Sequence, residues 1–388
     1  MRIGYAELKV REIRGKRFVP STAKKPICTF VVKNHSEHRE EQKNYYLCVF
    51  MGKCFYISAI LILFATANVF AQDIHFSQFY STPMQTSPAN SGHFDGDWRA
   101  VLNNKNQWNS FTKAYRTFAG SVDYSHKSLF TDKDQSGLGI VINRDVAGDG
   151  KFGTTQIMLN TAYYYPFMSG RILAGAGLSA GYAHHGIHTD RLNFGNQYVT
   201  DGYDPNRDSG EQWQKTSFGY FDCAIGTNVI LRLKDNWTAE AGFSVAHPHQ
   251  PHKAFLGSTD SRLPAKWIVH ATGDINVKDD FWIAPMFYSM VQQKYLEFDI
   301  GALGRMNVNP IGLQAVYFGI FARTSDAGIL CAGIQYYNVR FLVNYDINLS
   351  KLTSISRGNG GIELSLIYIY SKPKPLETPY YRKCPEFM

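Results

Sequence analysis

The sequence predicts an all-β protein, a transmembrane antiparallel β-barrel of about 14 strands, and three observations carry that expectation. Segment after segment alternates apolar with polar or small residues at period two, with no convincing amphipathic helix after Gly92. These segments run about 10 to 13 residues, nearer the 9 to 11 that cross a tilted bilayer than the five or six common in soluble sheets. Aromatic residues are plentiful, with 24 Tyr and 26 Phe, and they gather at segment ends such as Tyr163-Tyr164-Tyr165, Tyr336-Tyr337 and Tyr368, where interfacial girdles lie.

In chain order, residues 1–50 are polar and lack apolar periodicity, and they precede Met51, which heads a complete export signal by itself. The simplest account starts translation at Met51, which makes 1–50 an upstream extension that is not translated or has no function. Residues 51–71 read as a signal peptide: Lys53, the apolar run CFYISAILILFATANVFA, and Val69 and Ala71 ahead of a cut before Gln72. A retained anchor is the competing reading, but the densely apolar part falls short of the roughly 20 residues a spanning helix needs. Residues 1–50 contribute +6 and Lys53 +1 to the net charge of +8, which leaves +1 for residues 72–388. The basic pI therefore gives no pointer to nucleic acid. Cys223, Cys331 and Cys384 follow the cut, an odd number without metal-ligand spacing, so neither a disulfide framework nor a metal is expected.

Residues 72–94 form an ordered lead-in. His75, Phe76, Phe79 and Tyr80 put four rings within six residues, and Pro83 and Pro88 prevent a long helix. Strands are then expected at 97–108, 115–125, 137–145, 154–166, 170–186, 216–232, 236–247, 264–277, 281–293, 294–308, 311–322, 326–337, 338–348 and 360–371. Along 221–232, for instance, Phe221, Cys223, Ile225, Val229 and Leu231 alternate with Asp222, Ala224, Gly226, Asn228 and Arg232. Ser169-Gly170, Lys278-Asp279-Asp280 and Asn309-Pro310 supply tight turns, whereas 187–215 and 248–263 are long polar connections. A secreted β-sandwich shows the same alternation, but nearly 280 residues of uninterrupted strand, 95–371, are large for one sandwich. Residues 372–388 remain as a tail. Fourteen strands enclose more space than the roughly eight whose side chains fill a barrel themselves. The ring-rich stretch His75, Phe76, Gln78, Phe79, Tyr80, Pro83 and Pro88 is the natural lumenal plug, or else a strap on the periplasmic side. His75, Gln78 and Tyr80 are expected to bond to Glu240, Asp299 or Arg340, with Phe76 and Phe79 over Gly175 and Gly177.

Candidate chemistry is thin. His247, His249 and His252 in AHPHQPH have spacings compatible with a metal, but no Cys or acid flanks them and Pro248 and Pro251 make a turn the simpler reading. Asp204, Asn206 and Asp208 approach a calcium loop, yet glycine comes at the seventh position and Lys215 stands at the twelfth, where a Glu belongs. Gly175, Gly177 and Gly181 lack nucleotide-binding spacing and sit in a strand, which suggests close packing. No G-x-S-x-G elbow occurs. Neither a cofactor nor a catalytic set is expected.

The N-terminal HFSQFYSTPMQTSPAN resembles the mature N-terminus of the PorP/SprF family of Bacteroidetes outer-membrane proteins. DWRAVLNNKNQWNSF, through Arg99, Asn103, Asn106, Gln107 and Trp108, is similar to the family's first strand. GFSVAHPHQP carries a family turn motif through Gly242, Ser244, His247, Gln250 and Pro251, and Arg262 and His270 match a later strand. The resemblance covers nearly all of the chain after the cut, and the tail ending KCPEFM departs from it. It implies a bacterial outer-membrane, non-enzymatic component of type IX secretion and gliding motility. Outer-membrane lipid, periplasmic parts of that machinery and secreted or cell-surface proteins would be its partners. A diffusion porin or uptake channel is the alternative, and an outer-membrane hydrolase the third reading.

Overall fold

The computed structural model describes residues 73–373, apart from 111, 132, 201, 212–214, 234–236, 254–260, 309–310 and 351–352. The upstream extension, the signal peptide, Gln72, the Asn309-Pro310 turn and the tail beyond 373 lie outside the described residues. Among the described residues, strands are β1 (Trp98–Gln107), β2 (Tyr115–Lys127), β3 (Gln135–Ala147), β4 (Phe152–Phe167), β5 (Ile172–Gly186), β6 (Tyr198–Val199) and β7 (Gly202–Tyr203). They continue as β8 (Ser217–Arg232), β9 (Thr238–Ala246), β10 (Lys266–Lys278), β11 (Phe281–Gln292), β12 (Tyr295–Asn307) and β13 (Leu313–Arg323). The last three are β14 (Ala327–Tyr336), β15 (Val339–Asn348) and β16 (Asn359–Tyr370).

All but β6 and β7 form one closed antiparallel barrel of 14 strands in sequence order, sealed by β1 pairing with β16 from Trp98↔Tyr370 to Gln107↔Gly361. The period-two pattern sets which side chains enter the lumen. On β8, Phe221, Ile225 and Val229 are exposed outward, whereas Asp222 and Asn228 are turned in and buried. The same parity corrects one expectation about the aromatic girdle. Tyr165 points out, but its neighbour Tyr164 is fully buried in the lumen, where its hydroxyl accepts from Asn228 Nδ2 at 3.2 Å. The β6–β7 hairpin was not foreseen, since two-residue strands carry no readable period.

The barrel has two unlike rims. Trp98 and Tyr370 stand at one, together with the connections 128–134, 168–171, 233–237, 279–280, 308–312 and 337–338. This is the turn rim. The loop rim carries 187–216, 247–265 and 349–358, though tight connections at 293–294 and 324–326 share it. Thus the long connections collect on one side without occupying its whole circumference. The largest apolar core also lies inside the barrel, where Phe79 packs with Tyr288, Met290, Phe321, Ile329 and Leu342.

Candidate functional site

The lumen is occupied by residues 73–92. Two prolines break the segment into short turns: a 3-10 turn at Phe79–Ser81, an α-turn at Pro83–Thr86 and a second 3-10 turn at Pro88–Asn90. Each proline starts its turn, where its missing N–H is not needed. Ser87 Oγ accepts from Ala89 N at 3.3 Å, and Asn90 Nδ2 donates to Pro83 O at 3.1 Å, so the coil satisfies much of its own backbone. The remaining polar groups are met by the wall.

Three fastenings run along the segment from the loop rim to the turn rim. At the loop rim, Asp73 Oδ2 accepts from Lys266 Nζ at 2.5 Å and lies 3.0 Å from His247 Nε2, while His247 Nδ1 lies 2.7 Å from Asp222 Oδ1. Deeper, Ser77 N and Gln78 N donate to the two oxygens of Glu363 at 2.8 and 3.1 Å, and Asn103 Nδ2 donates to the same carboxylate at 3.3 Å. Ser77 Oγ donates to Asp346 at 2.6 Å and accepts from Arg323 Nη2 at 3.0 Å. Near the turn rim, Arg99 grips Asp123 through Nε and Nη2 at 3.0 and 2.7 Å, and Nη2 also donates to Asn90 O at 3.0 Å. Gly92 N donates to Asp123 Oδ2 at 2.8 Å, and Gln135 Nε2 donates to Gly92 O at 2.6 Å. Charge-assisted bonds of this kind are the strong ones in a buried setting.

Between the fastenings, rings and small residues fit the coil to the wall. Phe79 stacks on Tyr288 with centroids 5.0 Å apart, and Tyr80 stacks on Phe321 at 5.4 Å. Ser244 Oγ donates to Thr86 O at 2.7 Å. Backbone meets backbone where the wall has no side chain: a Cβ at Gly177 would stand 2.4 Å from Ala89 N, and one at Gly137 would stand 2.1 Å from Ser91 O. A cavity of about 80 Å³ with a mixed polar and apolar lining remains beside the segment, bounded in part by Asn143, Gln156, Met158, Asp222, His247 and Ile268.

The expected partners of the segment differ from the observed ones. Gln78 meets Glu363, Tyr80 donates to Cys331 Sγ at 3.2 Å, and His75 lies 3.4 Å from Asp73 O. Glu240 instead accepts from Asn228 at 2.6 Å and lies 3.9 Å from His93, and Arg340 stacks over Tyr317. Asp299 comes near only through Arg323, which it binds at 3.1 Å. Pro88 and Ala89, rather than Phe76 and Phe79, cover Gly177, while Gly175 faces Tyr164. Glu240 and Arg340 lie toward the turn rim, whereas residues 75–80 lie toward the loop rim, so height along the barrel separates them.

Of the turn-motif residues, Ser244 and His247 touch this segment. Gly242 leaves room for the His270 ring, Ser244 holds Thr86, and His247 holds Asp73. His247 and Gln250 both have positive φ, 55° and 49°, an uncommon conformation that the turn before the buried Pro251 imposes. His249 turns away, with Nδ1 3.3 Å from Cys223 Sγ and Nε2 2.9 Å from Phe221 O. In the acidic loop, Asp204 Oδ1 accepts from Asn206 N at 2.9 Å. A hydroxyl meets imidazole where Thr154 Oγ1 lies 2.6 Å from His185 Nδ1. Ser77, Arg323, Asp346, Glu363, Asp73 and Lys266 escaped sequence reasoning. For Lys266, Asp346 and Glu363 the signal was a charge at inward parity, whereas Asp73 and Ser77 precede the first strand, where parity does not apply.

The loop-rim fastening is pH-sensitive. Burial pushes the His247 imidazole down, but hydrogen bonds to Asp222 and Asp73 outweigh it and raise its pKa to about 9. A folded pKa above the unfolded 6.5 gives stability that is fully present below about pH 6.5 and lost as pH rises through about 9. Urea unfolding of the detergent-solubilised protein, followed by tryptophan fluorescence, is expected to weaken by roughly 1–3 kcal/mol between pH 6 and pH 10. His247→Gln should abolish most of that difference. An equal pH dependence in the variant would assign it elsewhere.

The family described as type IX secretion system membrane protein PorP/SprF matches residues 68–368. No curated protein sequence matches the chain. Among solved structures, the chain is similar to a Pseudomonas aeruginosa FadL homologue at 11% identity, covering 73% of this chain and 93% of that one, with a TM-score of 0.42. It is also similar to the P. putida toluene transporter TodX at 11% identity, 74% and 93% coverage and a TM-score of 0.41. CdiB from Acinetobacter baumannii matches at 9% identity, 71% and 60% coverage and a TM-score of 0.38.

Proposed function

The chain belongs to the PorP/SprF family of type IX secretion system membrane proteins of the bacterial outer membrane, and from that premise we propose that it is a plugged, non-enzymatic adaptor. In this reading it supports the secretion or surface attachment of partner proteins, in a bacterium of the Bacteroidetes, through contacts with periplasmic parts of the machinery and with the exported protein, and serves gliding motility where that machinery drives it. Export begins with the signal peptide at 51–71, and the processed chain starts at Gln72. The turn rim, which also receives both barrel termini, faces the periplasm, and the loop rim faces outward.

One observation carries the reading. Residues 73–92 traverse the lumen and are bound to the wall near both rims, which favours an occluded barrel over an open diffusion pore. Removing the rings tests it. Phe76→Ala, Phe79→Ala and Tyr80→Ala together delete two buried rings, worth roughly 3 kcal/mol each, and one half-buried ring. The triple variant is expected to keep barrel assembly, judged by heat-modifiable gel migration, but to lose partner display or show a new conductance in planar bilayers. Wild-type behaviour in all three assays would eliminate the seated plug. Steady conductance of the unaltered protein would favour the porin reading instead.

A further inference from the structure

Outside the lumen, the loop rim carries a recess of about 460 Å³ lined by Lys113, Arg116, Lys151 and Arg191, with Thr112 and Asp149. Three separate stretches of chain supply these cations. Pairing of Arg116 with Val146 sets the start of β2 beside the 148–151 turn. The chain after β5 then lies over that turn: His188 N donates to Gly150 O at 2.7 Å, and Leu192 packs against Gly150, which brings in Arg191. Lys113 pairs with Asp149, whereas Arg116, Lys151 and Arg191 pair with no acid among the described residues. All four cations are exposed. The recess is therefore net positive and open to a ligand from outside.

Its height on the wall identifies the class of ligand. Arg116 shares the outward face of β2 with Phe118 and Val122, both exposed and apolar. Arg144 stands on the outward face of β3, opposite Phe118 and next in line after Leu138, Ile140 and Ile142. The cations thus begin where the lipid-facing apolar band ends, at the level of headgroups. Guanidinium groups suit phosphate because their forked donors match its oxygens. We propose that this recess holds a phosphate group of an outer-leaflet glycolipid, an inference that rests on the loop rim facing outward and is independent of the secretory role.

The test uses the full chain, purified in detergent and examined by native mass spectrometry with added diphosphoryl lipid A. The variant Lys113→Gln, Arg116→Gln, Lys151→Gln, Arg191→Gln is expected to bind at least about 10-fold more weakly while its heat-modifiable migration is kept. Dephosphorylated lipid should bind the unaltered protein at least about 10-fold more weakly as well. Excess inorganic phosphate should leave the lipid bound, because its acyl chains lie against the apolar band. A control pair on the opposite rim, Lys133→Gln and Arg171→Gln, should change nothing. If the fourfold variant fails to assemble, Arg116→Gln alone gives the same test with a loss of roughly 3-fold. Undiminished binding by the variant, equal binding of dephosphorylated lipid, displacement by inorganic phosphate or an equal loss in the control pair would each overturn the proposal.

Discussion

Replacing Arg323 by methionine is expected to destabilise the folded barrel by about 3–5 kcal/mol, the usual consequence of removing one partner from a buried ionic network. Its side chain is 1% exposed and faces Asp299 at 3.1 Å, Glu297 at 3.3 Å, and both Asp346 and Asp326 at 3.4 Å. The first three acids are themselves nearly inaccessible, so without the guanidinium their charges are left together with little solvent. Ser77 loses a donor at the same time, which loosens the middle fastening. Arg323→Lys should recover only part of the loss, since one ammonium cannot present the fork that reaches four carboxylates and a hydroxyl. The measurement is the urea midpoint in detergent micelles, followed by tryptophan fluorescence. An unchanged midpoint for Arg323→Met would mean that solvent and Lys105, whose Nζ donates to His75 O at 3.4 Å, already neutralise the cluster.

Gly177→Val should unseat the segment while the wall survives. The added Cβ would meet Ala89 N at 2.4 Å and Pro88 C at 2.5 Å, both backbone atoms held by the second 3-10 turn. Overpacking of this kind costs roughly 1–3 kcal/mol. Displacing the turn also strains the contacts of Asn90 with Arg99 and with Asn228 Nδ2, the latter at 2.8 Å. Limited chymotrypsin digestion reads the outcome, because Phe76, Phe79 and Tyr80 are sheltered in the native lumen. Cleavage at these rings with the barrel core intact is the expected result. Resistance equal to the unaltered protein would show that the wall yields and the segment stays seated.

Much of this architecture was legible because a barrel writes its inside and outside into alternate residues. Strand ends from the alternation fall within two residues of those observed, including both ends of β8 and β13. Parity also marked Glu240, Asp299 and Arg340 as lumen-facing, and the structure places them there. What parity does not encode is height and position around the ring. Arg340 and Asp346 share a strand and a face, yet one lies near the turn rim beside Tyr317 and the other near the loop rim beside Ser77. The rings drew attention to residues 75–80, whereas Ser77, a small polar residue among them, makes the closer set of bonds. Its hydroxyl carries no periodic or compositional signal. The turn motif around His247 was visible in the sequence, but its connection to Asp73 depends on a segment 174 residues away.

The bonds from Ser77 and Gln78 to Glu363 join positions 286 and 285 residues apart. Bringing such distant points together in an otherwise open chain costs about 5 kcal/mol in lost conformational freedom. Hairpin pairing along the sequence divides that cost into small steps, so these contacts close cheaply where β16 lies beside β1. Register matters as much as arrival. A slip of one residue in β16 would turn Glu363 toward lipid and leave Ser77, Gln78 and Asn103 without their acceptor. The carboxylate thus ties Ser77 and Gln78 to a last strand in correct phase, so a ring closed out of register would leave the middle fastening unmade.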